Sequence, residues 1–366
     1  MIKYIDEFGN NKITQKLVQK IGKVAKKLPA PLSLMEVCGT HTMAMFRYGI
    51  RKVLPGNIRI ISGPGCPVCV TSGEDIDKAI ALSECPNTIV TSFGDMLRVP
   101  GTNMSLAESK SQGADVRIVY SMLEALDIAR RNAEKKVVHL AIGFETTAPT
   151  SAAVLKRAKA ERIHNFFIFA AHKVIPPALK MLISSPGARI NGFILPGHVS
   201  TIIGAQPYAF LVQKYKIPCV VAGFEAADIL QAILMLLMQT VRKEPKVEIQ
   251  YKRCVRKQGN VTAQRAMSDV FKVDDVTWRG LRTIRGSGLS LRREFACFDA
   301  ERHFPLKIPK QKKTACRCGD VLQGKISPLA CSLFRVSCTP QSPLGPCMVS
   351  SEGTCAAYYK YGGNRE

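Results

Sequence analysis

Acidic residues are scarce in this chain: 28 Asp and Glu stand against 52 Lys and Arg, a formal charge of +24 over 366 residues. Such a field attracts acidic proteins, nucleic acid or anionic ligands, and by itself chooses none of them. The interleaved aromatic and basic residues of a nucleic-acid binder are missing, as is any recognition motif, so a basic nucleic-acid-binding protein with a structural zinc is the weaker use of the charge. A surface for acidic protein partners is the simpler one. Residues 1–20 contain no apolar h-region, which predicts no secretory signal and a reducing compartment. The longest apolar helix candidate, 229–241, is interrupted by Gln231 and Gln239 and is too short to span a bilayer. With 46% hydrophobic and 22% charged residues, disorder throughout is excluded, and the length excludes a disulfide-stapled miniprotein and suggests two or three domains.

Against this background thirteen cysteines are many. In a reducing setting they point to metal, cluster or redox chemistry rather than to static staples. Six of them lie in the last fifth of the chain, Cys316, Cys318, Cys331, Cys338, Cys347 and Cys355, spaced C-x-C-x12-C-x6-C-x8-C-x7-C among many Gly and Pro. A loop-rich segment of this kind buries little, and thiolate–metal bonds supply the folding energy it lacks. It has no histidine and no C-x2-4-C knuckle, which favours an iron–sulfur cluster over zinc. A cluster needs four thiolates and leaves two, which suit a dithiol and disulfide pair exchanging electrons with it. Spacing does not say which four are the ligands.

Between residues 57 and 241 a short β-branched or aromatic run, a Gly-containing turn and a helical segment repeat, the rhythm of βαβ units. Strands are predicted at 58–62, 88–92, 116–120, 137–142, 166–170, 192–195 and 219–222, their near-continuous apolar character suiting parallel strands covered on both faces. Met122, Ala125, Leu126 and Ala129 fall on one helical stripe and are core. The basic stretch 242–259 marks an expected boundary, with a loop-rich region after it.

In open α/β sheets ligands bind beyond the carboxyl ends of the strands, so the residues there are the candidates for chemistry. Cys66-Pro67-Val68-Cys69 follows Gly63-Pro64-Gly65, where helix-start amides favour a thiolate; the plain alternative is two buried, inert cysteines. Cys38 lies three residues before His41, and a thiolate beside an imidazole suits a nucleophile or a metal ligand. Glu145, Thr146, Thr147 and His198 also follow predicted strands, with helix capping as their plain alternative. His139, His164, His172 and His303 are expected to pack or to lie on the surface.

Five segments in order, Glu36 to Thr42, Gly63 to Cys69, Gly143 to Pro149, Pro196 to Ser200 and Cys338 to Gly353, resemble the HypD family of NiFe-hydrogenase maturation factors. The resemblance runs from near residue 30 to the C-terminus and implies a cytoplasmic factor. The implied fold class is α/β, with two Rossmann-like parallel-sheet domains and a loop-rich iron–sulfur domain. The boundaries expected here are 25–132, carrying Cys38 and the C-x-x-C, then 133–245, then 246–366 together with 1–24. The implied partners are a HypC-type chaperone, on which iron acquires cyanide and carbon monoxide, and HypE, which delivers cyanide as a thiocyanate.

By the same resemblance Cys38 is a ligand to the Fe(CN)2CO iron and Cys66 and Cys69 are a redox pair. Cys316, Cys331, Cys338 and Cys355 match 4Fe-4S ligands, and Cys318 and Cys347 an adjacent redox disulfide. His41 is expected to hold the Cys38 thiolate charged, and Glu145, Thr146, Thr147 and His198 to supply protons or hydrogen bonds. Met43 stands where some relatives carry a second histidine, as C-G-x-H-x-H. The rival function is a cluster-dependent thiol–disulfide oxidoreductase.

Overall fold

The computed structural model describes residues 11–185, 189–311 and 314–362. The chain enters through an amphipathic helix, Asn11–Ala25, and lays down two parallel strands, β1 (Leu32–Glu36) and β2 (Ile58–Ser62). It then leaves to build a second sheet from β3 (Thr88–Ser92), β4 (Asp115–Ile118), β5 (Lys136–Ala141) and β6 (Phe166–Ala170), all parallel in the order β4-β3-β5-β6. It returns with β7 (Gly192–Pro196), β8 (Cys219–Ala222) and β9 (Val247–Ile249), which complete the first sheet in the order β2-β1-β7-β8-β9. An antiparallel hairpin, β10 (Phe271–Trp278) and β11 (Arg282–Leu291), follows, and the tail from about residue 304 is loop with short helices.

The α/β expectation with two parallel sheets holds. The division of the chain near residue 132 does not match the strands, because β1 and β2 pair with β7, not with β3 or β4. The first sheet is thus built from both ends of the α/β region around an inserted second sheet. Helix Asn11–Ala25 does not join the tail either; its stripe of Leu17, Val18, Ile21 and Ala25 packs on Ile229, Ile233 and Leu237 of helix Ala226–Arg242. Residues 1–10 of that expected grouping lie outside the described residues. The stretch 242–259 contains β9 rather than a linker, and residues 261–291 form a helix and the hairpin rather than loop.

Strand alternation sorts the first sheet into two faces. Leu32, Leu34, Ile194 and Val220 meet helices Asn11–Ala25 and Ala226–Arg242 on one face. Met35, Val37, Phe193, Leu195 and Val221 meet the central core on the other, where Phe144 from the second sheet, Trp278 from the hairpin and the thiol-bearing residues converge. The hairpin is a strap: Thr71 bridges Trp278, Lys173 bridges Gly288, and the Trp278 indole donates to Ser287 Oγ at 2.9 Å. Among the described residues no helix is long and apolar enough to cross a membrane.

Leu236, fully buried where helix Ala226–Arg242 meets the first sheet, tests this layering. Leu236→Ala is expected to cost about 2–5 kcal/mol in denaturant unfolding; a change under about 1 kcal/mol contradicts the packing described.

Candidate functional site

In the first sheet the strand order reverses between β1 and β7, so the loops after these strands diverge and leave a crevice at their carboxyl ends. Cys38 sits in the first of these loops as N-cap of helix Gly39–Arg47, and His198 follows the second. The Cys38 loop is fixed from below by Glu36, a fully buried carboxyl whose pKa burial raises. Its Oε2 accepts from the Cys38 amide at 3.0 Å, and its Oε1 accepts from the Thr42 hydroxyl. From the side the loop is fixed by the turn after β2: Gly65 O accepts from Gly39 N at 2.9 Å, and any side chain at Gly65 would overlap the Cys38 backbone. The glycines of Gly63-Pro64-Gly65 therefore bring the C-x-x-C segment and the Cys38 loop together as one unit.

Burial pushes the Cys38 thiol up to about 12; the backbone amides of His41 and Thr40 pull it down, while Glu352 and Glu36 add to the rise. The His41 ring does not face the thiol as a cation. It is fully buried, its Nε2 donates to Gly223 O at 2.9 Å and reaches Ala222 O at 3.3 Å, and its Nδ1 has no partner. Burial lowers its pKa to about 4, so it is a neutral imidazole that ties the Cys38 helix to the end of β8. The expectation that it holds the thiolate charged is corrected on this geometry.

His198 does not cap its helix. Its ring stacks on Phe224, centroid to centroid 3.9 Å, and Phe224 in turn lies 4.8 Å from the His41 ring. Glu352, from the tail, reaches the same crevice: its Oε1 accepts from Thr40 Oγ1 at 2.7 Å, and its charge acts on both Cys38 and His198. Glu36, Phe224 and Glu352 were not chosen as site residues from the sequence. Glu36 and Glu352, each inside a segment quoted for the resemblance, carried a signal that could have found them.

Cys66 caps helix Pro67–Val70 with its own sulfur, accepting from Cys69 N at 3.3 Å. Cys69 is fully buried, and its thiol contacts those of both Cys66 and Cys347. Cys347 also contacts Cys318, and Cys318 contacts Cys316. A row of interacting thiols therefore runs from the C-x-x-C into the tail, where the Cys69 thiol also donates to Pro346 O at 3.8 Å, beside Cys347. Cys355 feels the charges of Cys316, Cys318, Cys338 and Cys331, which places these sulfurs around it. Burial raises the Cys69 thiol well above its ordinary value, and the Cys318 thiol, lowered by Cys316 but raised by Cys347 and burial, sits at about 12. All thirteen cysteines are free thiols, and Cys85, Cys219, Cys254 and Cys297 stand outside the row. Among the described residues no three His, Cys, Asp or Glu side chains are gathered tightly enough for a single metal ion.

Glu145 is buried at the end of β5, but it does not cap the helix that follows, Ala148–Ala160. Its Oε1 accepts from Ile175 N at 3.0 Å, at the start of another helix, and its Oε2 has no partner. Burial raises its pKa to about 7. Thr147 is the N-cap by position, yet its hydroxyl donates to Phe144 O at 3.3 Å and accepts from no helix amide; Thr146 beside it is half-buried. Buried Tyr208 feels the charges of both Glu145 and Cys38, and its phenol oxygen accepts from Ser200 Oγ at 3.3 Å, so the second sheet's loop and the Cys38 crevice share one interior. His139 and His172 are buried and neutral, with pKa values lowered to about 4 and about 3 by desolvation; His303 packs on Phe167.

Two parallel α/β sheets that deliver a buried thiol, a C-x-x-C pair and a cysteine-rich tail to one interior define a thiol-bearing α/β scaffold. Residues 12–362 match the family described as "HypD: Hydrogenase formation hypA family". The chain is 44% identical to the hydrogenase maturation factor HypD of Escherichia coli, over 98% of each chain. It is 44% identical to that of Cupriavidus necator, over 99% of this chain and 97% of the relative. It is 45% identical to the hydrogenase expression/formation protein HupD of Azotobacter chroococcum, over 100% of this chain and 98% of the relative. The chain belongs to the HypD family.

The buried Glu145 carboxyl makes a pH-dependent contribution. Its folded pKa of about 7 lies above the ordinary carboxylic value of 4.5, so between these values the folded chain holds a proton that the unfolded chain has lost. Its contribution is thus complete below pH ~4.5 and is lost as pH rises through ~7, by on the order of 3 kcal/mol. Urea unfolding of wild type and Glu145→Gln across this range is expected to show wild type losing stability relative to the variant as pH rises; parallel curves contradict the assignment.

Proposed function

We propose that this chain is a redox-active scaffold for maturation of NiFe hydrogenase, on which the Fe(CN)2CO unit is assembled with a HypC-type chaperone and HypE. The observation that carries the reading is the row of interacting thiols that ends at Cys66 and Cys69, whose turn is bonded to the Cys38 loop through Gly65 O and Gly39 N and whose Cys69 thiol reaches the tail at Pro346 O. The iron is cargo. Cyanide and carbon monoxide are strong-field ligands that favour low-spin, low-valent iron, and the soft Cys38 thiolate is a fitting anchor for it, shared with the chaperone. Binding the metal displaces the thiol proton, which removes the mismatch of a buried thiol with a raised pKa.

Cyanide arrives as a thiocyanate, and its release is a two-electron reduction. R–S–CN with the Cys66 and Cys69 thiols gives R–SH, a disulfide, and hydrogen cyanide whose proton is surrendered as the cyanide binds iron. Cys69 interacts with Cys347, so exchange with the Cys318 and Cys347 thiols would return the C-x-x-C to its dithiol form and leave a Cys318–Cys347 disulfide in the tail. Glu145, protonated to near neutrality by burial, would hold a proton, and His198, whose pKa burial lowers, would offer hydrogen bonds from the crevice rim; Thr146 and Thr147 are hydroxyls of the Glu145 loop.

The tail thiols suit a 4Fe-4S cluster better than a single ion. The donor set is cysteine alone, and a cubane spreads its four thiolates more widely than a mononuclear metal does. Cys316 Sγ lies against Gly345, where a side chain would overlap it, and the Leu344 amide points at Cys338 Sγ at 3.4 Å, the type of bond that holds a thiolate. Cys316, Cys331, Cys338 and Cys355 would hold the cluster, which when bound supplies one-electron transfer.

Anaerobic copurification with HypC and infrared spectroscopy test the reading, because bound cyanide and carbon monoxide have separate stretching bands. Cys38→Ala is expected to abolish these bands while iron–sulfur content stays at the wild-type level, and Cys331→Ala to lose the cluster. Cluster loss in Cys38→Ala overturns the division of roles. Steady reduction of generic disulfides, without HypC binding or iron beyond the cluster, replaces the reading with a cluster-fed thiol–disulfide oxidoreductase.

A further inference from the structure

Arg279 occupies the turn between β10 and β11 and is held there from three sides. Its amide donates to Val70 O at 2.8 Å, at the end of the C-x-x-C helix, and its Nη2 donates to Pro100 O at 3.3 Å. The next residue, Gly280, has φ of +73° and packs backbone to backbone on Gly319, so closely that a side chain on either would overlap the other. These two glycines seat the hairpin turn on the first residues of helix Cys318–Leu322 and bring the guanidinium alongside the tail thiols. Arg279, Cys316 and Cys318 line one cleft of about 290 Å³.

The guanidinium has an incomplete set of partners. No carboxylate among the described residues pairs with Arg279, whereas Arg317 in the same cleft is bonded to Asp320 at 3.0 Å. Arg279 Nη1 is buried and donates to nothing. A buried charged donor without an acceptor is costlier than a neutral one, and in a folded protein it marks a missing partner. Cys316 and Cys318, on both of which the Arg279 charge acts, share that cleft with it.

We infer that Arg279 donates a hydrogen bond from Nη1 to the sulfur framework of the cluster held by Cys316, Cys331, Cys338 and Cys355, and that its charge sets the reduction potential of that centre. The inference rests on the reading of those four thiols as cluster ligands. Reduction adds negative charge to the cluster, so an adjacent cation and an N–H···S bond stabilise the reduced form and raise the potential. Arg279 is a positioning and tuning residue. It also grips the C-x-x-C helix, so the group that tunes the cluster is tied to the pair that the cluster supplies.

The test is an anaerobic redox titration of the full chain followed by electron paramagnetic resonance, on wild type, Arg279→Gln and Arg279→Lys. Arg279→Gln is expected to keep its iron and to disfavour reduction by at least tenfold, about 59 mV for one electron. Arg279→Lys, which keeps the charge without the planar fork, is expected to shift less. In reduced wild type grown with nitrogen-15 arginine, pulsed resonance is expected to show nitrogen coupling to the cluster that Arg279→Lys removes. A wild-type midpoint in Arg279→Gln overturns the proposal, as does a loaded wild type with no coupling or a coupling that survives in Arg279→Lys. Should Arg279→Gln fail to load, the wild-type and Arg279→Lys spectra decide. A wild type that binds no iron overturns the cluster reading itself and the proposal with it.

Discussion

The interaction between the thiols of Cys69 and Cys347, with the Cys69 thiol also bonded to Pro346 O at 3.8 Å, joins the α/β body to the cysteine-rich tail. Cys69 belongs to the α/β body and Cys347 to the tail, and without this contact the chain is a sheet protein with a cysteine-rich appendage. The fold secures it from several directions. The strap of β10 and β11 ties Thr71 to Trp278 and Val70 to Arg279, Gly345 lets Cys316 pack against the segment that carries Cys347, and Glu352 anchors the same segment to Thr40. Cys69 and Cys347 are themselves buried, which keeps the pair dry, and in a dry site thiol exchange is confined to neighbouring sulfurs.

A chain with a charge of +24 buries acids around its crevice, and the bases buried beside them are neutral imidazoles or, as with Lys173 and Asp75, paired. Glu36 and Glu145 are almost wholly shielded from water, and Glu352 borders Cys38, while His41, His139 and His172 are held neutral. The positive field outside suits acidic partners, and on the proposed reading the interior serves proton and sulfur chemistry with few fixed charges. Such a crevice accepts a cationic metal on a thiolate more readily than it accepts a bare thiolate.

The sequence pattern located β2, β3, β6 and β8 to the residue, because those runs are β-branched or aromatic and end in glycine or polar turns. It missed β1, whose Leu-Ser-Leu-Met-Glu has no β-branched residue and whose buried Glu36 reads as a surface group. It missed the hairpin, in which Lys272, Asp274, Asp275 and Arg285 break the apolar alternation of an exposed ribbon. The assignment of strands to sheets was out of reach as well, since pairing β1 with β7 spans more than 150 residues that no local pattern encodes. At the site, glycines beside cysteines marked the close approaches at Gly63-Pro64-Gly65. Arg279 gave no signal, because its meaning comes from a contact between two loops far apart in sequence.

The measurement that bears most directly on the thiol row is a trapping experiment. In a chain carrying Cys66→Ser and Cys318→Ser, Cys69 and Cys347 lose the partners that would otherwise compete for them. Anaerobic oxidation with stoichiometric diamide, followed by peptide mass spectrometry, is then expected to yield a Cys69–Cys347 disulfide as the main product. Recovery of both cysteines as free, separately alkylated thiols, or bonding of either to a cysteine outside the row, would contradict the account.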